Sequence, residues 1–157
     1  MLKNYDREAA VRYALRWALG QNPDYYHFAG IGGDCTNFIS QCVFAGAPTM
    51  NFEPLGWFYQ NPSRRSPSWT SVEFFHNFIL HNMGFGPFGA LVNEDELELG
   101  DIVQLRQEWR FNHSLIVTKF EGGKPYVCAH SANALNKPLS SYFRKEIRCI
   151  KILGYRT

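Results

Sequence analysis

Past Leu99 the apolar residues stop recurring every three or four positions and fall into short β-branched runs separated by turn residues, so this chain must join a helical first part to a sheet. The runs are Asp101 to Leu105, His113 to Phe120, Pro125 to Ser131 and Ile147 to Leu153, each read as a strand. Gly122-Gly123 between the second and third is a hairpin signal, because tight turns call for residues that accept positive φ. The two strands are then antiparallel neighbours. His113 begins one and His130 ends the other, at the same edge of the sheet.

Ahead of that point the period is helical. Val11, Leu15 and Ala18, with Tyr13 and Trp17 alongside, predict a first helix from about Asp6, its cap, to Leu19, stopped by Gly20. Phe38, Ile39, Cys42 and Val43 predict a second from Cys35 to about Ala45 with one buried face. Thr70 and Glu73 form a capping-box pattern ahead of Val72, Phe75, Ile79 and Leu80, a third helix that fades near Asn82 and Gly84. Between them, Gln21 to Gly33 reads as a loop carrying Tyr25, Tyr26 and Phe28. Gly46 to Ser68, with Pro48, Pro54, Pro62 and Pro67 and the aromatics Phe52, Trp57, Phe58 and Tyr59, reads as a long loop that covers a cleft. Gly84 to Gly89 reads as a glycine-rich connection. Helices followed by strands give an α+β fold, with the helix at 35–45 packed on an antiparallel sheet.

The chain has 157 residues, a length that fits one domain spanning 1–157. A hydrophobic fraction of 45% and an aromatic fraction of 16% exclude a disordered chain. A formal charge of +2, with Lys and Arg scattered, argues against a nucleic-acid partner. No apolar run reaches the ~18 residues of a membrane span, and Met1 to Asp6 are too polar for a signal peptide, so the chain reads as soluble without membrane insertion. Cys35, Cys42, Cys128 and Cys149 include no C-x-x-C pair and are expected as free thiols, which fits a reducing compartment.

The chemistry concentrates at Gly32-Gly33-Asp34-Cys35-Thr36-Asn37, which places a cysteine where a turn becomes a helix. Asp34 is a good N-cap, leaving Cys35 at the first helical position. Unpaired amides and the positive end of the helix dipole there stabilise a thiolate and pull a cysteine pKa from ~8.5 into the range of ~3.5 to 7.5. With a histidine on a strand and a further polar group to orient it, such a cysteine has the parts for acyl transfer through a thioester. Cys35 is the expected nucleophile, His113 the base, and His130 the group holding the His113 tautomer, with Asn133 or Asn112 as alternatives for that last task. The amide of Cys35 is the natural oxyanion donor.

The runs from Gly32 to Cys42, Gly100-Asp101-Ile102-Val103-Gln104, His113-Ser114 and Ala129-His130-Ser131 resemble the bacterial putative amidase-like domain family. The order Tyr5, Ala9, Ala10, Tyr13, Ala14, Trp17, Asn22-Pro23 and Phe28 is similar to the family's lead-in to its cysteine. The resemblance spans nearly the whole chain. It implies a plan similar to the papain-like cell-wall hydrolases of the NlpC and CHAP types, with Cys35 and His113 as nucleophile and base and His130 as third member. The papain plan also carries a glutamine shortly before the cysteine, and residues 28–33 offer none.

The expected function is cysteine-dependent hydrolysis of an amide bond, in peptide or peptidoglycan-like substrate, with no cofactor. Asp34, Trp57 and Trp109 are candidate substrate contacts. The alternative is a noncatalytic module on the same fold that binds wall peptide or glycan through its aromatics. Cys35, His113 and His130 are also competent zinc ligands, a lesser reading. Cys42, Cys128 and Cys149 read as core residues, and His27, His76 and His81 as surface or packing residues.

Overall fold

Alternating side chains in the second half of the chain build a seven-stranded sheet with the helices stacked on one face. The computed structural model describes residues 1–28 and 33–157. Its strands are β1 (Leu2–Lys3), β4 (Gly86–Val92), β5 (Ile102–Arg106), β6 (Phe111–Glu121), β7 (Lys124–Ala129), β8 (Ala134–Pro138) and β9 (Glu146–Arg156). The order across the sheet is β1-β9-β5-β6-β7-β8, with β4 on the other side of β9, and every pairing is antiparallel. The helices are α1 (Arg7–Trp17), α2 (Asp34–Gly46), α3 (Pro67–Thr70) and α4 (Val72–His81), and a small hairpin joins β2 (Tyr59–Asn61) to β3 (Arg64–Arg65). Mixed helix and antiparallel sheet is the α+β class expected. None of the described helices is long and apolar enough to cross a membrane.

The period of two divides the core in half. Ile102, Ile116, Cys128, Ile150 and Ile152 point toward the helices and meet Phe38, Ile39, Cys42 and Val43 of α2. Val103, Leu105, Leu115, Val117, Val127 and Ala129 point the other way, onto Leu97, Leu139 and Cys149. The β6–β7 turn is as read, with Gly122 and Gly123 at φ 59° and 77° and Glu121 opposite Lys124.

Three boundaries differ from the sequence reading. The residues read as a connection at Gly84–Gly89 open β4, whose partner β9 lies some sixty residues later in the chain, so no local period announces it. The segment at 46–68 is not a free flap: Trp57 and Tyr59 are buried, and the Trp57 ring lies 4.6 Å from that of Trp69. The cap of α4 is Ser71, which accepts from the Phe74 N–H at 3.3 Å, in place of Thr70, which ends α3. The sequence reading also lacks β8, which continues the sheet past β7.

The motif Gly100-Asp101 fastens the helices to this sheet. The Arg7 guanidinium at the start of α1 donates to Asp101 at 2.7 Å, to the Leu99 carbonyl at 2.9 Å and to the Ile152 carbonyl at 2.8 Å. Asp101, fully buried, also accepts from the amides of Glu98 and Ile152, and the Tyr5 hydroxyl donates to the Gly100 carbonyl.

Candidate active site

Gly33 sets where the nucleophile helix begins. It takes φ 93°, a region open mainly to glycine, and a Cβ there would come within 2.9 Å of the Thr70 carbonyl, so it lets the start of α2 press against the end of α3. Gly33 is therefore the N-cap, Asp34 the first helical residue and Cys35 the second. The cap expected of Asp34 is absent; Gly32 and the rest of 29–32 lie outside the described residues.

The Asp34 carboxylate does something else. It accepts from Nδ1 of His130 at 3.0 Å, from the Phe28 amide at 3.1 Å and from Nδ2 of Asn37 at 3.2 Å. Burial pushes its pKa up, and these bonds more than offset that, holding it below the usual carboxylate range. Nε2 of His130 meets the Trp17 carbonyl at 2.8 Å, and its ring stacks on Phe38 at 4.0 Å. Both nitrogens are thereby engaged, and His130 ties the end of β7 to the end of α1 and the start of α2. Orienting His113, the task expected of His130, is not what it does here. The two histidines do stand near one end of the sheet, as read, but β6 turns His113 to the face of Leu115 and Val117, beside Tyr142 at 6.0 Å, while His130 faces the helices.

Cys35 is 7% exposed. The backbone N–H groups of Thr36 and Ser114 stand near its sulfur, and the Thr36 hydroxyl lies 3.8 Å away. The thiol thus rests against the peptide that joins His113 to Ser114, where β6 extends past its pairing with β7. Burial is the largest influence on this thiol and pushes its pKa up, the three donors pull it down, and Asp34 pushes it up again. The net direction is upward. The lowered pKa expected from the helix start is overturned, because a sulfur enclosed by protein loses more solvation than the first-turn amides return. His113 is 7% exposed, and burial, then the Lys137 charge, drives its pKa down from 6.5 to about 4. Both groups rest uncharged near neutral pH. No hydrogen bond joins them, and the His113 nitrogens have no hydrogen-bond partner among the described residues.

Of the remaining candidates, Trp57 is fully buried and donates from Nε1 to Ser40 at 3.1 Å, so it serves as core. Trp109 stands 78% exposed between β5 and β6, with Arg110 over its ring at 4.8 Å. Because Trp109 packs on nothing deep, Trp109→Ala is expected to leave the melting temperature within about 1 °C, so any loss of peptidoglycan retention in a pull-down reports a surface contact. Cys42, Cys128 and Cys149 are buried free thiols, as expected. Among the described residues no group of three metal-ligating side chains gathers, and Cys35, His113 and His130 do not converge.

Sequence reading passed over Gln104, Ser114 and Thr36, although each lies inside a motif it singled out. All three are fully buried. The available signal was a polar residue at a core-facing strand position, Gln104 in an Ile-Val-Gln-Leu run and Ser114 in Ser-Leu-Ile-Val.

The profile of the family described as a putative amidase domain matches residues 4–153, nearly the whole chain. The chain belongs to that family. Two curated relatives from Bacillus subtilis (strain 168) are similar to this putative amidase domain: uncharacterized protein YhbB, 33% identical over 81% of the chain, and uncharacterized protein YjcM, 28% identical over 92%. The domain spans 42% and 35% of their respective lengths. No solved structure matches it. Membership gives the putative amidase domain a hydrolase-like character.

Proposed function

We propose that this domain hydrolyses an amide bond in the peptide links of bacterial cell wall, with Cys35 as nucleophile and His113 as base. The observation that carries the reading is the position of the Cys35 sulfur near the Ser114 N–H, one residue from a histidine whose ring nitrogens have no hydrogen-bond partner among the described residues. His113, neutral at rest, takes the thiol proton as sulfur bonds to the carbonyl carbon. The resulting oxyanion is stabilised by first-turn amides of α2, Cys35 among them. The imidazolium gives its proton to the departing amine, leaving a thioester. Water, deprotonated by the same imidazole, then releases the acid and restores the thiol. The reaction requires the His113 ring to turn from the face of Leu115 and Val117 around the β6 edge to the sulfur, a rearrangement that substrate binding would have to drive.

Separate substitutions of the two histidines test this assignment. His113→Ala is expected to lower kcat by on the order of 10² to 10⁴ while the protein stays folded. His130→Ala is expected instead to destabilise the fold, because Asp34 loses its buried partner. If His113→Ala retains full hydrolysis, the assignment fails.

The pH profile gives a second check. The base works only when neutral, and its folded pKa is about 4, so kcat/KM is expected to hold from neutrality to about pH 5 and to fall as pH drops through about 4. Stability follows the same sign. The unfolded imidazole binds its proton near 6.5, ahead of the folded one, so the stability this group confers is complete above 6.5 and is lost between there and about 4. The total is of order 3 kcal/mol. Circular dichroism at each pH separates the two effects.

A further inference from the structure

The polar side chains beneath Cys35 form a single file. Arg148 on β9 donates from Nε to Oε1 of Gln104 at 2.8 Å. Nε2 of Gln104 donates to the Val72 carbonyl at 3.0 Å and to the Ser114 hydroxyl at 3.1 Å. Ser114 meets the Thr36 hydroxyl at 3.0 Å, and Thr36 lies 3.8 Å from the Cys35 sulfur. At the outer end Arg148 pairs with Glu73 at 3.0 Å and covers the Phe111 ring at 4.0 Å.

One proton direction uses every donor hydrogen within this file. A guanidinium only donates and a peptide carbonyl only accepts, so Arg148 and the Val72 carbonyl together fix which end of the Gln104 amide is oxygen and which is nitrogen. Gln104 must then donate to Ser114. Beyond the file the Ser114 and Thr36 hydroxyls have no partner among the described residues, so the arrangement that uses both hydrogens within it runs from Ser114 to Thr36 and from Thr36 to the sulfur. Each bond polarises the next in the same sense, from a permanent cation to Cys35.

We propose that Arg148, Gln104, Ser114 and Thr36 are positioning residues forming a one-way hydrogen-bond relay that makes the Cys35 sulfur a better anion than its burial alone would allow. The relay deepens the cysteine reading above, since what it means for hydrolysis rests on Cys35 being the nucleophile, while its effect on the sulfur does not. It also joins the two faces of the site mechanically: the Thr36–Ser114 bond pins the first turn of α2 to β6 next to His113. Charged and titratable groups near the sulfur are Asp34 on its own helix, His27 with its Nε2 3.5 Å from the Asp34 carboxylate, His113 on β6 with Lys137 of β8 nearby, and His130 after β7, bonded to Asp34. None of these belongs to the relay, so its links can be cut without altering them.

The test is the rate of iodoacetamide alkylation at Cys35 from pH 6 to 10, followed by mass spectrometry of the peptide carrying it, with the melting temperature of each variant recorded. Thr36→Val, nearly isosteric, removes the last donor, and a loss of about tenfold in rate on the acid side of the profile is expected, the midpoint moving up. Thr36→Ser restores the rate to within about twofold. Arg148→Met cuts the file four hydrogen bonds from the sulfur and touches nothing beside it; a loss of about threefold is expected in protein that stays folded, with a lowered melting temperature because the Gln104 oxygen loses its donor. A packing role for Arg148 would leave the thiol's profile where it was. Profiles of folded Thr36→Val and Arg148→Met that superimpose on the native one overturn the relay. So does the absence of a Cys35 adduct in the native protein at every pH. If the midpoints move as expected while purified peptidoglycan is left uncut by the native protein, the relay stands and the hydrolase reading falls.

Discussion

Cys35→Ala is expected to abolish cleavage of purified peptidoglycan while leaving the fold in place. In enzymes that pass through an acyl intermediate, loss of the nucleophile costs on the order of 10⁶ in kcat, so new amine or peptide products seen by mass spectrometry with the native protein should vanish from the variant's reaction. The substitution is well suited to the purpose. The sulfur touches hydroxyl and amide donors at the end of the sheet and contributes little to either core cluster. A few degrees of melting temperature is the most it should cost. Equal product yields from native protein and variant would remove Cys35 from the chemistry and, with it, the thioester route. Binding to peptidoglycan without cleavage by either protein, lost in Trp109→Ala, would favour the noncatalytic module instead.

Arg7→Ala is expected to produce the largest loss of stability, about 3 to 5 kcal/mol. Asp101 is fully buried, and Arg7 is its cationic partner as well as the donor to two carbonyls, one before β5 and one in β9. Removing the guanidinium strands a carboxylate that burial already pushes upward in pKa, and three acceptors lose a donor at once. Urea unfolding followed by circular dichroism reads the change as a lower midpoint at unchanged slope. Arg7→Ala combined with Asp101→Ala should lose less than the sum of the single variants, because the stranded charge is then gone. A single-variant loss below about 1 kcal/mol would mean that the pair is solvated and that α1 is held to the sheet by packing alone.

The motif residues carried two kinds of information that could not be told apart before the fold was seen. Gly100-Asp101, one of the runs that carry the family resemblance, proves to be the anchor of α1. His130 looked like a catalytic partner and proves to be a clamp between α1, α2 and β7, with Asp34 as its counterpart. Trp57 looked like a cleft aromatic and lies in the core. In each case the residue type was a fair indication of polar or aromatic contact, but a period of two or of 3.6 says only which side a residue takes within its own element. Whether that side meets solvent, another helix or the substrate depends on what packs there. β4 illustrates the same limit for backbone, since its hydrogen bonds go to a strand some sixty residues away.

What the chain alone determined was the order of α1, α2 and α4 ahead of β5, β6, β7 and β9, the β6–β7 hairpin, the burial of Cys42, Cys128 and Cys149, and the placing of Cys35 at the head of an amphipathic helix. These follow from side-chain period, turn chemistry and hydrophobicity, which act over a few residues. Tertiary structure alone decided the face to which His113 turns, the engagement of both His130 nitrogens, the net upward push on the Cys35 thiol, and the file from Arg148 to Thr36. Those depend on desolvation and on hydrogen-bond partners brought together from residues as far apart as 36, 114 and 148, and such quantities come into being only when the sheet and its helices close on one another.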